Sequence, residues 1–157
     1  MYPEAYFIQT MARILSKKQE KTVMHAIKEA ETNTSGEIRV HLEDRCKSGD
    51  PIKRAVEMFG ELHMHETELR NGVIVYVAIK DHKLAIWGDE GIHTKVGQNF
   101  WNDTLSTMQK YFSAGDYESG LSKAILMVGD KLKEFFPYQS DDVNELSDEI
   151  SYGDSDA

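Results

Sequence analysis

The stretch NGVIVYVAIKDHKLAIW, residues 71–87, decides the fold. Residues 72–79 have no charged or strongly polar side chain on either alternating face, which is typical of a central strand covered on both sides. The polar residues 80–83 form a short turn, and the apolar run 84–87 returns as a second strand. A connection this short joins neighbouring antiparallel strands. The stretch therefore predicts a buried β-hairpin inside a layered α/β domain.

A further strand and a helix precede the hairpin. Residues 36–43, GEIRVHLE, alternate, with Ile38, Val40 and Leu42 on one face and polar or charged residues on the other. This alternation predicts a half-exposed strand, whose outward residues are Glu37, Arg39, His41 and Glu43. Asp50-Pro51 begins the helix, because proline favours the first helical position. Its apolar stripe at helical spacing consists of Ile52, Ala55, Val56, Phe59 and Leu62. A strand–helix–strand order predicts a right-handed parallel crossover.

Three more helices complete the predicted domain. Ser16 and Gln19 fit a capping box at the start of the first helix. After the hairpin, the apolar spacing predicts helices over about 98–112 and 117–136, and Asp116 is the N-cap of the second. The order α-β-α-β-β-α-α predicts an α/β fold, a small three-layer α/β/α sandwich with a short mixed sheet.

The charge is concentrated in the C-terminal tail. The chain has 157 residues and a net charge of −9, but seven of its 27 acidic residues lie in residues 141–157, and the other 20 are nearly balanced by 18 Lys and Arg. We assign residues 1–15 to an N-terminal lead-in, 16–138 to the domain and 139–157 to the acidic tail. Such a tail is typically disordered or loosely docked, so we expect its deletion to leave stability nearly unchanged.

Composition also bears on partners and location. The body of the chain offers no basic patch for a phosphate backbone, so we expect no nucleic-acid partner. No apolar run reaches membrane-spanning length and the N-terminal stretch does not fit a signal peptide, so we expect no membrane insertion. A single cysteine, Cys46, fits a reducing compartment. Together these features predict a cytoplasmic protein.

Three segments carry a family resemblance. TSGEIRV (residues 34–40), LRNGVIVYVAIKDHKLAIWGDEGIH (69–93) and YFSAGDYESGL (111–121) occur in this order and resemble the TPM domain family, over about residues 16–136. That family includes thylakoid-lumen proteins tied to photosystem repair and many bacterial proteins, and plant members have been described as acid phosphatases and as calcium-binding. The resemblance implies metal binding. The chain departs from the family pattern at His93 and Gln98, where many members have acids.

A candidate cation site follows the hairpin, within WGDEGIH (residues 87–93). In the predicted sheet, the end of the third strand lies beside the start of the second. Asp89 and Glu90 could supply hard oxygen ligands there, with Glu37 and a backbone carbonyl completing a Ca²⁺ or Mg²⁺ shell. The alternative is a turn whose acids are solvated. A second acidic cluster, at the carboxyl ends of the parallel strands, would consist of Glu43, Asp81 and Asp116.

Residues beside the candidate site allow more than one interpretation. Gly88 and Gly91 would let the backbone bend so that its carbonyl groups face a cation. Arg70 could bind a phosphate or carboxylate group bidentately, or could pair with Glu68 or Glu90.

Two functions fit these observations. The first is a divalent-cation-binding module, for Ca²⁺ or Mg²⁺, with a regulatory or interaction role and an unidentified protein partner. The alternative is a metal-assisted, acid-phosphatase-like hydrolase of phosphomonoesters. The sequence has neither a G-x-S-x-G nucleophile motif nor a glycine-rich phosphate loop. We therefore favour the module that has no catalytic activity.

Overall fold

The structure, a computed structural model, describes residues 15–138 and 150–153. Five α-helices, a short 3₁₀-helix and four strands are formed by these residues. In chain order they are α1 (Lys17–Glu31), β1 (Glu37–Glu43), α2 (Pro51–Glu61), the 3₁₀-helix (Met64–Glu66), β2 (Gly72–Ala78), β3 (Lys83–Gly88), α3 (Glu90–Val96), α4 (Gln98–Ser113), α5 (Tyr117–Phe135) and β4 (Ser151–Tyr152).

The strands form one mixed sheet in the order β3-β2-β1-β4. Strand β1 runs parallel to β2, from the Glu37–Gly72 pair to the Glu43–Ala78 pair. Strand β3 returns antiparallel to β2, and β4 adds a two-residue parallel pairing to the other side of β1. The predicted parallel pairing of the first two strands and the predicted hairpin are therefore confirmed.

Two apolar cores flank the sheet and give the three predicted layers. On one face, Val40, Val75 and their neighbours pack against α1, α4 and α5. On the other face, Ile74 and Tyr76 pack with Phe59 of α2. Every residue of β2 is buried, as the uninterrupted apolar pattern predicts.

The helix N-termini are capped as the sequence predicts. Ser16 and Gln19 form a reciprocal capping box, with N···O distances of 2.8 and 3.1 Å. Asp50 accepts hydrogen bonds from two backbone N–H groups of the first turn of α2. Asp116 accepts one from Ser119 at the start of α5. These side chains satisfy backbone donors that would otherwise lack partners at helix N-termini.

Two burial predictions were wrong. Strand β1 is not half-exposed, since Glu37, His41 and Glu43 are all buried. Hydrogen bonds with Arg54 and Tyr76 satisfy Glu43, and one with Ser151 satisfies His41, which makes the burial of both residues possible. In α2, Ile52 and Val56 remain 46% and 41% exposed. This helix turns Ala55, Met58 and Phe59 toward the sheet, so Ile52 and Val56 lie at the margin of its buried face.

Residues 150–153 of the tail dock on the body. Ile150 is only 8% exposed, and β4 pairs with His41 and Leu42 of β1. The Tyr152 hydroxyl donates a hydrogen bond to the Glu20 carboxylate of α1. This geometry predicts that residues 150–153 stabilise the fold, unlike the small contribution expected from composition. The tail's other apolar residues, Val143 and Leu146, lie outside the described residues.

Candidate functional site

The WGDEGIH segment begins a helix and is not an irregular loop. Asp89 is the N-cap of α3, and its Oδ1 accepts a hydrogen bond from the Glu90 backbone N–H at 2.8 Å. Gly97 ends the helix with a φ of 78°, a conformation that favours glycine. An acidic N-cap and a glycine eight residues later were the sequence signals for this short helix.

Gly88 and Gly91 serve close packing, which corrects their predicted role in bending the backbone. A Cβ at Gly88 would lie 2.5 Å from the Trp101 ring, and a Cβ at Gly91 would overlap the Leu69 carbonyl oxygen. Neither glycine has a positive φ. The missing side chains let α3 and α4 approach the end of the sheet and the backbone before β2.

Arg70 is the centre of the polar cluster at this end of the sheet. Its Nε and Nη2 donate to Asp89 Oδ2 and Oδ1 at 2.6 and 2.8 Å. Its Nη1 also lies 3.1 Å from Glu90 Oε1. These partners, Asp89 above all, raise the pKa of the Arg70 guanidinium. Two carboxylates therefore converge on one cationic group.

The accessibility of the three charged groups differs. The Asp89 side chain is 1% exposed, whereas that of Arg70 is 45% exposed. The Glu90 side chain lies mostly in solvent. The guanidinium thus covers a buried carboxylate from the solvent side, and an exposed carboxylate stands beside it.

A cleft of about 560 Å³ opens beside this cluster, at the end of β3. Arg70, Asp89 and Glu90 form its polar side. The other lining residues are Ile52, Ile86, Trp87, Gly88, His93, Gln98 and Trp101. The cleft therefore places charged groups against aromatic and aliphatic walls, a combination typical of ligand sites. The sequence prediction missed the contribution of His93 and Gln98.

Glu37 takes a different position from its two predicted co-ligands. It is buried at the first residue of β1, and its backbone N–H donates to the Asn71 carbonyl at 3.4 Å. Among residues 15–138 and 150–153, no three His, Cys, Asp or Glu side chains are placed to hold a metal ion together. The structure thus brings Asp89 and Glu90 together on Arg70, without a preformed shell that includes Glu37.

Glu43, in the second candidate cluster, belongs to a buried hydrogen-bond network. Arg54 donates to Glu43 Oε2 and Oε1 at 2.9 and 3.0 Å, and the Tyr76 hydroxyl donates to Oε2. His41 Nε2 lies 3.3 Å from Oε1, and its Nδ1 lies 2.9 Å from Ser151 Oγ of β4. Burial favours a raised pKa for Glu43, but the hydrogen bonds from His41, Arg54 and Tyr76 outweigh it and lower the pKa to about 2.

Asp81 and Asp116 have separate roles. Asp81 accepts hydrogen bonds from the Cys46 backbone N–H and from Arg45, both at 2.8 Å. Asp116 caps α5. Each acid of the second cluster therefore has its own partners, and the three do not form one of the groups that could hold a metal ion in the described part of the chain.

Comparison with known proteins identifies the family of this chain. The model of the TPM domain family matches residues 8–131, and the chain belongs to this family. It is similar to the BA42 protein of the psychrophilic bacterium Bizionia argentinensis, whose NMR structure has 42% sequence identity and a TM-score of 0.81. The similarity covers 88% of this chain and 95% of that one. A comparison with curated proteins gave no match.

More distant solved structures share the fold alone. The N-terminal domain of a protein from P. gingivalis has 15% identity and a TM-score of 0.69, over 87% of this chain and 91% of that chain. The N-terminal domain of the cg2496 protein from Corynebacterium glutamicum has 14% identity and a TM-score of 0.61, over 75% and 74%. Within residues 15–138 and 150–153, no helix is both long and apolar enough to span a membrane.

Proposed function

We propose that this TPM domain binds a divalent cation, Ca²⁺ or Mg²⁺, at Asp89 and Glu90. The observation that supports the proposal is the convergence of two carboxylates on one exposed guanidinium, that of Arg70. In this proposal Arg70 occupies the position of the cation when no metal is bound, and it moves into solvent when the metal arrives.

Replacement of the Arg70 guanidinium by a metal ion is physically reasonable because of where each group lies. A buried carboxylate such as Asp89 requires a nearby positive charge. Arg70 supplies that charge, but its own side chain is nearly half exposed, so water can replace its contacts at small cost. A divalent ion brings twice the charge to the same two carboxylates. Asp89 can keep its cap bond to the Glu90 N–H throughout.

Further ligands would complete the shell. Ca²⁺ takes six to eight oxygen ligands in a flexible geometry, and Mg²⁺ keeps several bound waters. Water and a backbone carbonyl supply some of these positions. Glu37 stays our candidate for a third carboxylate, and its side chain would have to move to take part. A site built this way should have micromolar to millimolar affinity.

Exposed apolar residues beside the cleft support a protein partner. Ile52 lines the cleft, and Val56 follows one turn later on the same helix. Exposed apolar groups rimmed by polar residues are typical of interaction surfaces. We therefore propose that the domain has a regulatory or interaction role, in the cytoplasm, and that the cation alters the surface around Ile52.

A thermal titration tests the cation site. The melting temperature of the parent should rise with Ca²⁺, corresponding to about 2.7 kcal/mol at a hundredfold excess over Kd. The Asp89→Asn, Glu90→Gln double variant should not respond, and asparagine keeps the N-cap. Asp81→Asn with Asp116→Asn is the matched control, which should respond as the parent does. An equal rise in all three proteins would place the cation elsewhere.

Phosphomonoester hydrolysis is the second candidate function. The cleft and the guanidinium of Arg70, once released, could receive a phosphoryl group beside the cation. The test is hydrolysis of a phosphomonoester with and without Ca²⁺ or Mg²⁺. Cation-dependent turnover that disappears in Glu90→Gln supports this function, and its absence in the parent rejects it.

A further inference from the structure

His93 and Trp101 form a hydrogen bond that fixes the proton position on the imidazole. The Trp101 Nε1 atom lies 3.0 Å from His93 Nδ1. An indole N–H can only donate, so Nδ1 must accept. A neutral imidazole carries its single proton on the other nitrogen in that case. His93 therefore has an Nε2–H group and no free lone pair on either ring nitrogen.

Trp101 is held firmly enough to impose this state. It is buried, its ring lies over Gly88, and Phe100 packs edge-to-face against it at a centroid distance of 5.2 Å. His93, by contrast, is exposed and lines the cleft. Buried Trp101 thus sets the tautomer of exposed His93.

We propose that Trp101 holds His93 as a hydrogen-bond donor for an oxyanion of a ligand that binds in this cleft, and prevents His93 from ligating a metal. The chemistry is that of a phosphoryl or carboxylate oxygen. The inference rests on the proposed function in sharing its cleft, and it adds His93 as an oxyanion donor and Trp101 as the residue that positions it.

Charge explains why the cation and the oxyanion would bind together. An oxyanion alone would meet the negative charges of Asp89 and Glu90 in the cleft. A divalent cation on those carboxylates reverses the local charge and releases the Arg70 guanidinium. The oxyanion is then attracted by the cation, by Arg70 and by the His93 N–H group, and hydrogen bonds to a charged acceptor are stronger than neutral ones.

The same hydrogen bond excludes His93 from the metal shell. Metal coordination needs an unprotonated ring nitrogen. The indole occupies the lone pair of Nδ1, and Nε2 carries the proton. The cation is therefore bound by oxygen atoms alone, which favours Ca²⁺ and Mg²⁺ over metals that prefer imidazole.

The first test is the tautomer itself, by ¹⁵N NMR of the imidazole in the full chain. At about pH 8.5, where an ordinary histidine is neutral, His93 should show the Nε2–H form in the parent, before and after CaCl₂ addition. In Trp101→Phe, the Nδ1–H form should appear beside it, as in a solvated histidine. An Nδ1–H form in the parent, or a metal-bound nitrogen, overturns the inference.

The second test is oxyanion binding in the presence and absence of CaCl₂, with methylphosphonate and acetate as the two probes. His93→Leu should weaken binding of the favoured anion about 10-fold, as expected for one hydrogen bond to a charged group. His93→Gln keeps an N–H group near the Nε2 position, so it should stay within about threefold of the parent. Tighter methylphosphonate binding identifies a phosphoryl ligand, and tighter acetate binding a carboxylate.

The outcomes separate this inference from the proposed function. If neither anion binds, or if His93→Leu binds like the parent, the inference is wrong even when Ca²⁺ binds. If Ca²⁺ does not bind but an anion still depends on His93, the cation proposal is wrong and the donor role of His93 stands. His93 is exposed, so its variants should fold, and their NMR spectra check this.

Discussion

Each end of the sheet has a carboxylate held bidentately by an arginine, yet the two pairs differ in what surrounds them. At the sealed end, formed by Glu43, Arg54, Tyr76 and His41, the carboxylate has three side-chain partners, and Ser151 of β4 hydrogen-bonds to His41. At the open end, formed by Arg70, Asp89 and Glu90, the guanidinium borders a cleft. The ion-pair geometry is nearly the same at both ends.

The difference shows that the ion pair alone does not define a site. At the sealed end, Glu43, Arg54, Tyr76 and His41 are all hydrogen-bonded within the fold, so removing one leaves a buried group unsatisfied. At the open end, the positive charge is carried by the half-exposed Arg70 side chain, whose contacts water or a ligand can replace. We therefore assign stability to the sealed end and binding to the open end.

The largest effect should come from neutralising the sealed carboxylate. Glu43→Gln should lower the free energy of unfolding by about 3 kcal/mol, since it breaks a buried ion pair and its network. Asp89→Asn should cost about 1 kcal/mol, because Arg70 can turn to Glu90 or to water. Urea unfolding measures both. Glu57→Gln, an exposed partner of the same Arg54, is the control, with a change below about 0.5 kcal/mol.

The sealed end should also dominate the acid response. The Glu43 pKa is lowered from its ordinary value of 4.5 to about 2 in the folded protein. The unfolded state therefore binds this proton more readily, so Glu43 stabilises the fold above pH 4.5 and loses that contribution as the pH falls toward 2. Unfolding free energies measured across this window should fall less steeply for Glu43→Gln. Parallel curves would contradict the assignment.

Removal of the docked tail should have the next largest effect. Deleting residues 150–157 removes the buried Ile150 side chain and the hydrogen bonds of β4, at an expected cost of about 2 kcal/mol. Deleting residues 154–157 alone keeps residues 150–153 and is the control. Equal melting temperatures for the two truncations would show that β4 does not stabilise the sealed end.

A smaller effect is expected at the open end, where removing the arginine should strengthen Ca²⁺ binding. Arg70→Gln removes the competing guanidinium, so Ca²⁺ affinity should rise about 10-fold, equivalent to about 1.4 kcal/mol. Arg54→Gln should destabilise the fold without changing Ca²⁺ affinity. Isothermal titration calorimetry compares the two. Weaker Ca²⁺ binding in Arg70→Gln would mean that Arg70 does not compete with the cation.

The sequence predicted the fold because its signals are local. The apolar run of β2, the short turn to β3 and the caps Ser16, Asp50 and Asp116 each depend on residues close in the chain. The seven residues of α3 were missed, since two helical turns are too short for a clear apolar period. Its N-cap, Asp89, was available as a signal.

The arrangement of the site was less predictable because its contacts are distant in sequence. Asp89 was predicted as a ligand and Arg70 as a possible partner of Glu90, but the bidentate pair joins residues 19 positions apart. The burial of His41 depends partly on Ser151, 110 positions away. Alternating polarity in β1 indicated solvent, and only the tertiary contacts show that the polar face is buried.

The most direct test of the account is an NMR titration with CaCl₂ that follows the side-chain Nε–H signals of Arg70 and Arg54. These two groups donate to Asp89 and Glu43, respectively. We predict that the Arg70 signal shifts toward that of a solvated arginine as Ca²⁺ saturates, while the Arg54 signal stays unchanged. An unchanged Arg70 signal with Ca²⁺ bound, or a response at Arg54 alone, would contradict the assignment of binding to the open end.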